Sequence, residues 1–145
     1  MADRIRRPKE FEEFMNKLCK KGESSTQIFD TLKDCMVFCA ALGAKNDRKE
    51  AINESSEPIM LHLFSGEYDK AFINALAISD TNDARIIESS REDERIKIFE
   101  EFACGGLHIL RSELGDLDLE IEKQMVSLIS KEQQGKSIID DISSF

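Results

Sequence analysis

The chain has 145 residues and a formal net charge of −9, from 29 acids against 20 bases. A domain of this size buries about 70% of the surface its unfolded chain exposes, so one domain with a real core is expected. With 34% charged residues the surface is densely charged and, being acidic, unsuited to broad phosphate binding, while no apolar run approaches the roughly 18 residues of a membrane helix.

The charge is uneven. Residues 1–9 carry Arg4, Arg6, Arg7 and Lys9 against Asp3 alone, whereas residues 113–145 carry eight acids and three lysines. Residues 1–7 are read as a flexible basic arm, residues 8–135 as a helical domain and residues 136–145 as a C-terminal tail. Pro8 suits the first turn of a helix, where its missing N–H costs nothing. Phe11, Phe14, Met15 and Leu18 follow at helical spacing, with Glu10, Glu12 and Glu13 early and Lys17, Lys20 and Lys21 late, as the helix dipole favours. Gly22 is the expected stop.

A second helix is predicted over 24–42, capped within Ser24–Thr26. Its stripe is Ile28, Leu32, Cys35, Cys39 and Leu42, widened by Phe29, Met36, Val37 and Ala40, with Gly43 as terminator. Residues 44–57 are polar and read as an exposed loop with a short turn around Arg48–Ile52. The apolar run Ile59–Phe64 is read as helical, because a lone strand needs a partner and none is evident. A helix over Tyr68–Ser79 presents Ala71, Ala75 and Ile78, with Phe72 and Leu76 beside them. Asp80–Asp83 breaks the pattern, and Ala84–Glu88 supplies one further turn.

The longest helix is predicted at about 91–114, started by Ser89 or Ser90 with Asp93 in a capping-box position. Ile96, Phe99, Ala103, Gly106, Leu110 and Leu114 fall on one face, and Ile98, Phe102 and Ile109 line the adjoining strip. Gly105 and Gly106 sit near its centre, where each glycine costs about 1 kcal/mol relative to alanine. The simplest return is the close approach of another backbone, so both are assigned to a helix crossing. Gly115 ends this helix. An acidic final helix runs from Leu117, Leu119 and Ile121 through Met125, Leu128 and Ile129 to Gly135, before a tail able to dock through Ile138, Ile139, Ile142 and Phe145. The expected fold is all-α, a compact single-domain bundle of five to six helices.

Catalytic chemistry finds no foothold. Cys35 and Cys39 are four apart, as are Cys104 and His108, so a Cys3His zinc site is geometrically conceivable. Both pairs lie in apolar stripes and no CxxC knuckle accompanies them, so core thiols and no metal are expected. His62 and His108 lack any nucleophile signature. A nuclease needs clustered carboxylates, yet there is no Glu-x-Lys triplet. Asp47-Arg48-Lys49 lies in a polar loop, and Glu92-Asp93-Glu94 and Glu100-Glu101 read as a solvated helix face. No phosphate-binding glycine loop occurs. With no signal peptide pattern, a cytoplasmic protein with reduced thiols, no membrane contact and no cofactor is expected.

Three stretches carry a family resemblance: Arg4-Ile5-Arg6-Arg7-Pro8-Lys9, the run from Ile28-Phe29 through Lys33-Asp34 to Phe38-Cys39-Ala40-Ala41-Leu42-Gly43, and Ile98-Phe99-Glu100-Glu101-Phe102-Ala103-Cys104-Gly105-Gly106-Leu107. Over residues 4 to 114 the chain resembles the DNA phosphorothioation (Dnd) system-associated protein 4 family, encoded beside systems that replace a non-bridging DNA phosphate oxygen with sulfur. Cys104 stands where that family's pattern has a polar residue, which weakens any hydrogen-bonding role there. The resemblance implies a non-enzymatic accessory component of a bacterial modification and restriction locus, hence antiviral defence, acting through protein subunits of the complex. Arg4, Arg6, Arg7 and Lys9 are the expected partner or nucleic-acid contacts, any DNA contact through them being weak. The alternatives are a DNA-binding regulator of the locus, which needs a basic recognition helix, and a hydrolase or nuclease subunit, which needs carboxylates or His108 converging in a pocket.

Overall fold

The computed structural model describes residues 3–19, 28–115, 125–126 and 128–133. In chain order the elements are β1 (Arg4–Ile5), α1 (Glu12–Cys19), α2 (Leu32–Lys45), β2 (Ile59–Met60), α3 (Glu67–Thr81) and α4 (Glu92–Leu114), with single 3-10 turns at Lys9–Phe11, Leu61–Phe64, Ala84–Ile87 and Ser89–Arg91. The described residues of 125–133 are also helical, so the fold is a compact all-α bundle of about five helices around one long central helix. The expected stops at Gly22 and Gly135, the caps in Ser24–Thr26, the final helix's start and the tail lie outside the described residues.

α4 is central because it is buried on nearly every side from Ile98 to Leu107. α2 crosses it with backbones touching. A Cβ built on Gly106 would stand 1.7 Å from the Cys39 carbonyl oxygen, and one on Gly43 would stand 2.1 Å from the Phe102 carbonyl oxygen. Each helix thus offers a glycine to the backbone of the other. Gly105 faces the chain just beyond α2, where its Cβ would lie 2.0 Å from the Arg48 carbonyl oxygen. Gly43 is therefore not the terminator that the sequence suggests. α2 runs on to Lys45 and is closed by Asn46, whose side chain donates to the Leu42 carbonyl at 2.9 Å.

α2 also starts later than 24. Thr31 is its cap, the hydroxyl accepting the Asp34 N–H at 3.1 Å, while Ile28 and Phe29 N–H both bond the Leu18 carbonyl before the helix begins. Along α3 the buried residues are Ile73, Leu76 and Ala77, not Ala71 and Ala75. The bulkier row turns inward because it buries more apolar area. α3 extends to Thr81 and closes on Asn82, whose positive φ of 55° is tolerated by asparagine better than by most residues. The expected capping box at Ser90 does not form, since the residue before α4 is Arg91 with no side-chain cap.

The largest departure from expectation is at the N-terminus. Arg4–Ile5 pairs antiparallel with Ile59–Met60, Arg4 opposite Met60 and Ile5 opposite Ile59. Leu61 N–H bonds Asp3 O, Ser56 N–H bonds Arg7 O, Lys9 N–H bonds Glu54 O, and Pro8 bridges Ser55. Residues 3–9 are thus zipped along 54–61 as a short ribbon and are part of the fold rather than a free arm. The run Ile59–Phe64, read as helical, is strand for two residues and a 3-10 turn thereafter. Its missing strand partner was in the arm.

Candidate functional site

The ribbon changes register once. From Asp3 to Ile5 the paired residue numbers add to one constant, and from Arg7 to Lys9 to a value one smaller. An extra residue therefore sits on the opposing strand at Glu57–Pro58, where Pro58 has no N–H to give the ladder. Such bulges bend a strand and redirect its side chains. Here the extra residue stands opposite Arg6, between Ile5 and Arg7, which face inward together as alternate residues of a strand do.

Arg6 turns onto α4. Its backbone N–H donates to Glu100 Oε2 at 2.6 Å, and its guanidinium donates to Oε1 from Nε at 3.2 Å and from Nη2 at 3.0 Å. Glu100, read from sequence as part of a solvated face, is only 3% exposed. Arg7 turns inward: it is 4% exposed, its Nε donates to the Glu57 carbonyl at 2.7 Å, and its Nη1 is buried without a partner. Arg4 and Lys9 remain at the surface, Arg4 donating to neighbouring Asp3 at 2.9 Å and Lys9 standing 4.0 Å from Glu54. The four expected contact residues are thus divided: Arg4 and Lys9 are exposed, the Arg6 side chain is 45% exposed but held by Glu100, and Arg7 is buried.

The ribbon borders two concavities. One, of about 600 Å³, lies between the 3-10 turn Leu61–Phe64, α3 and the start of α4, with His62, Lys70 and Arg95 among its walls. Arg95 is already committed there, donating to the Ile86 and Glu88 carbonyls at 2.7 and 2.8 Å. The other, of about 480 Å³, is a groove between Thr31–Lys33 and Glu57–Leu63, with Arg7 in its lining.

The proposed pairing of all four potential zinc ligands does not occur. Cys104 and His108 converge with Glu10, with ligand atoms within 4.8 Å of one another, whereas Cys35 lies against Cys19 and Cys39. His108 Nε2 is 3.5 Å from Glu10 Oε1, and its ring meets Phe11 edge-on at 4.8 Å. Burial pushes the Cys104 thiol up to about 11, so it is protonated at neutral pH and a metal would first have to displace that proton. Metal analysis of protein purified without chelator should find no stoichiometric zinc; one zinc per chain would make Glu10, Cys104 and His108 a metal site.

The same thiol sets an alkaline limit on stability. Below the free-thiol value of 9.0 Cys104 is protonated in both folded and unfolded chains, and its contribution is complete. As pH rises toward about 11, the unfolded chain loses the proton first and unfolding is favoured. The decline in stability over that window should be steeper in the wild type than in Cys104→Ala, measured by denaturant unfolding. Parallel declines would remove the argument.

Among the described residues no helix is long and apolar enough to cross a membrane. No curated protein and no solved structure matches the chain. The family described as DNA sulphur modification system-associated protein 4 matches residues 4–144, so the resemblance read over 4 to 114 extends through the acidic C-terminal region. With nearly its whole length matched, the chain belongs to the DNA sulphur modification system-associated protein 4 family and is an accessory, non-catalytic protein of the Dnd DNA-modification and defence system.

Proposed function

We propose that the protein serves this system in the cytoplasm by binding protein subunits of the modification or restriction complex. The observation that supports this most is how the cations are used. Arg6 is bound to Glu100, Lys33 to Asp69, Lys49 to Asp80 and Arg91 to Asp83 and Glu94. Meanwhile Met60, Leu63, Tyr68 and Ile87 are exposed, at 41%, 52%, 90% and 49%. An acidic surface with apolar side chains outward suits a protein partner better than a phosphate backbone. Affinity purification from the native host tests the reading: recovery of modification or restriction subunits supports it, and their absence overturns it.

The alternatives are less well supported. α2's Lys33 and Lys45 pair with Asp69 and Glu132, and in α4 Arg95 and Arg111 bond carbonyls while Lys97 is exposed, so neither helix presents a run of cations as a basic recognition helix would. Of the four N-terminal cations, duplex contact would fall chiefly to Arg4 and Lys9, since Arg6 is held by Glu100 and Arg7 is buried. Two phosphate contacts give a salt slope of only about −1.8, so duplex binding should be weak, independent of sequence and lost in the Arg4→Ala, Lys9→Ala double variant. Tight binding to one sequence that persists in that variant would favour the regulator instead.

A further inference from the structure

We propose that the groove lined by Arg7 is a docking site for an apolar peptide segment of a partner protein, which delivers one carboxylate to the Arg7 guanidinium. The proposal rests on the protein-contact reading above and gives it a place and a chemistry.

The argument starts from an unmet demand. A guanidinium is always charged, and burying a charge without a partner is strongly unfavourable. Arg7 is nonetheless 4% exposed with Nη1 unbonded, its one side-chain bond going to a neutral carbonyl. None of the ion pairs among the described residues includes it. Nor do the nearby thiols supply an anion. The hydrogen bond with Cys35 raises Cys19, and in Cys35 the lowering by Cys19 is outweighed by the Cys39 hydrogen bond and burial, so both thiols are held above their ordinary range and stay neutral. Arg7 shares the inward face of its strand with Ile5, two residues before it, and Glu57 O fixes its Nε.

What lies around the guanidinium selects the ligand. Leu32, Pro58, Ile59, Met60 and Leu63 line the same groove, and Met60 and Leu63 stand half-exposed at its rim. Lys33 is also there but already holds Asp69 at 3.0 Å, leaving Arg7 as the cation with free capacity. Glu57 at the rim would repel a ligand bearing many negative charges. One anionic group on an apolar body fits this arrangement, and a polyanionic duplex does not. The planar guanidinium matches a carboxylate through two parallel N–H donors, and Nη1, buried and unbonded, is left without a partner by the fold itself.

The test titrates the whole protein with a labelled leucine–alanine peptide carrying one central glutamate, and with its glutamine twin, followed by fluorescence anisotropy. The glutamate peptide should bind about tenfold more tightly, the difference expected of a charge-assisted bond. Arg7→Gln should bring the two peptides to parity, and Leu63→Glu, a rim change that leaves the core intact, should weaken both. Equal binding by the wild type, or undiminished binding by Leu63→Glu, overturns the groove as a carboxylate site even if Arg7→Gln fails to fold. Displacement of the glutamate peptide by duplex DNA overturns the peptide assignment in favour of a phosphate ligand. Native-host purification of Leu63→Glu separates the two readings. Loss of subunits that the wild type recovers supports the groove. Subunits retained by both sink the groove while leaving protein contact standing, and subunits recovered by neither sink protein contact itself.

Discussion

Gly106→Ala, a change of one methyl group, should lower the melting temperature by about 6 °C. The added carbon has nowhere to go, because the nearest atom is the Cys39 carbonyl oxygen at 1.7 Å, with the carbonyl carbon at 2.5 Å and Cys39 Cα at 2.9 Å. These are backbone atoms of another helix and cannot rotate aside. The helices must separate, which also disturbs Gly43 against Phe102 and the packing of Cys39, Ala103 and Leu107, all 0% exposed. Overpacking of this kind costs about 3 kcal/mol, and for a domain of this size each kcal/mol moves the midpoint by roughly 2–4 °C. Alanine's better helix propensity returns about 1 kcal/mol at most. Gly66→Ala is the control: its Cβ would meet only the Asp69 carboxylate, at 3.4 Å. Two variants melting alike would remove the close-crossing account.

That crossing was half legible in the sequence. Two glycines at the centre of a strong amphipathic pattern pointed to a close approach on α4, because their propensity penalty needed some return. Gly43 carried no such signal. It stood at the end of an apolar stripe, where glycine ordinarily stops a helix, and only the facing helix shows that it is a crossing residue. The same limit explains the α3 face. Alanine and isoleucine rows both satisfy a helical period over Glu67–Thr81, and the choice between them is made by Phe72 and Phe64 packing edge-on to Phe99, at 6.3 and 5.6 Å.

The ribbon was illegible for a different reason. Arg4-Ile5-Arg6-Arg7 contains one apolar residue among three cations, and charge composition rightly suggests solvation when nothing else is known. What reverses it is non-local. Ile5 finds Ile59, and Glu100, 94 positions away from Arg6, supplies the counter-charge. A run of acids on an amphipathic helix does not reveal which one will be covered. Glu100 lies four residues after Ile96 and three before Ala103, beside the face that the pattern already marked as apolar; that proximity was the available clue.

The second large effect follows from that pair and has a sign that a simple count of bonds would miss. Glu100 is buried while the Arg6 side chain is 45% exposed, so the two partners are not equivalent. In Glu100→Leu, the Arg6 guanidinium swings into water, a backbone N–H loses its acceptor, and the loss should be about 1–2 kcal/mol. In Arg6→Leu, the carboxylate stays buried with the residue 6 backbone N–H as its remaining bond of the three. Leaving a charge in that condition costs about 3 kcal/mol, since breaking a buried pair is worse than never having one. The double variant removes the stranded charge and lets leucine pack on leucine, so it should be more stable than Arg6→Leu alone. A denaturant double-mutant cycle reads all three values. If Glu100→Leu proves the more damaging single change, or the double variant is the least stable, the carboxylate is better hydrated than its burial indicates. The bond between ribbon and α4 would then act as a surface pair and contribute little.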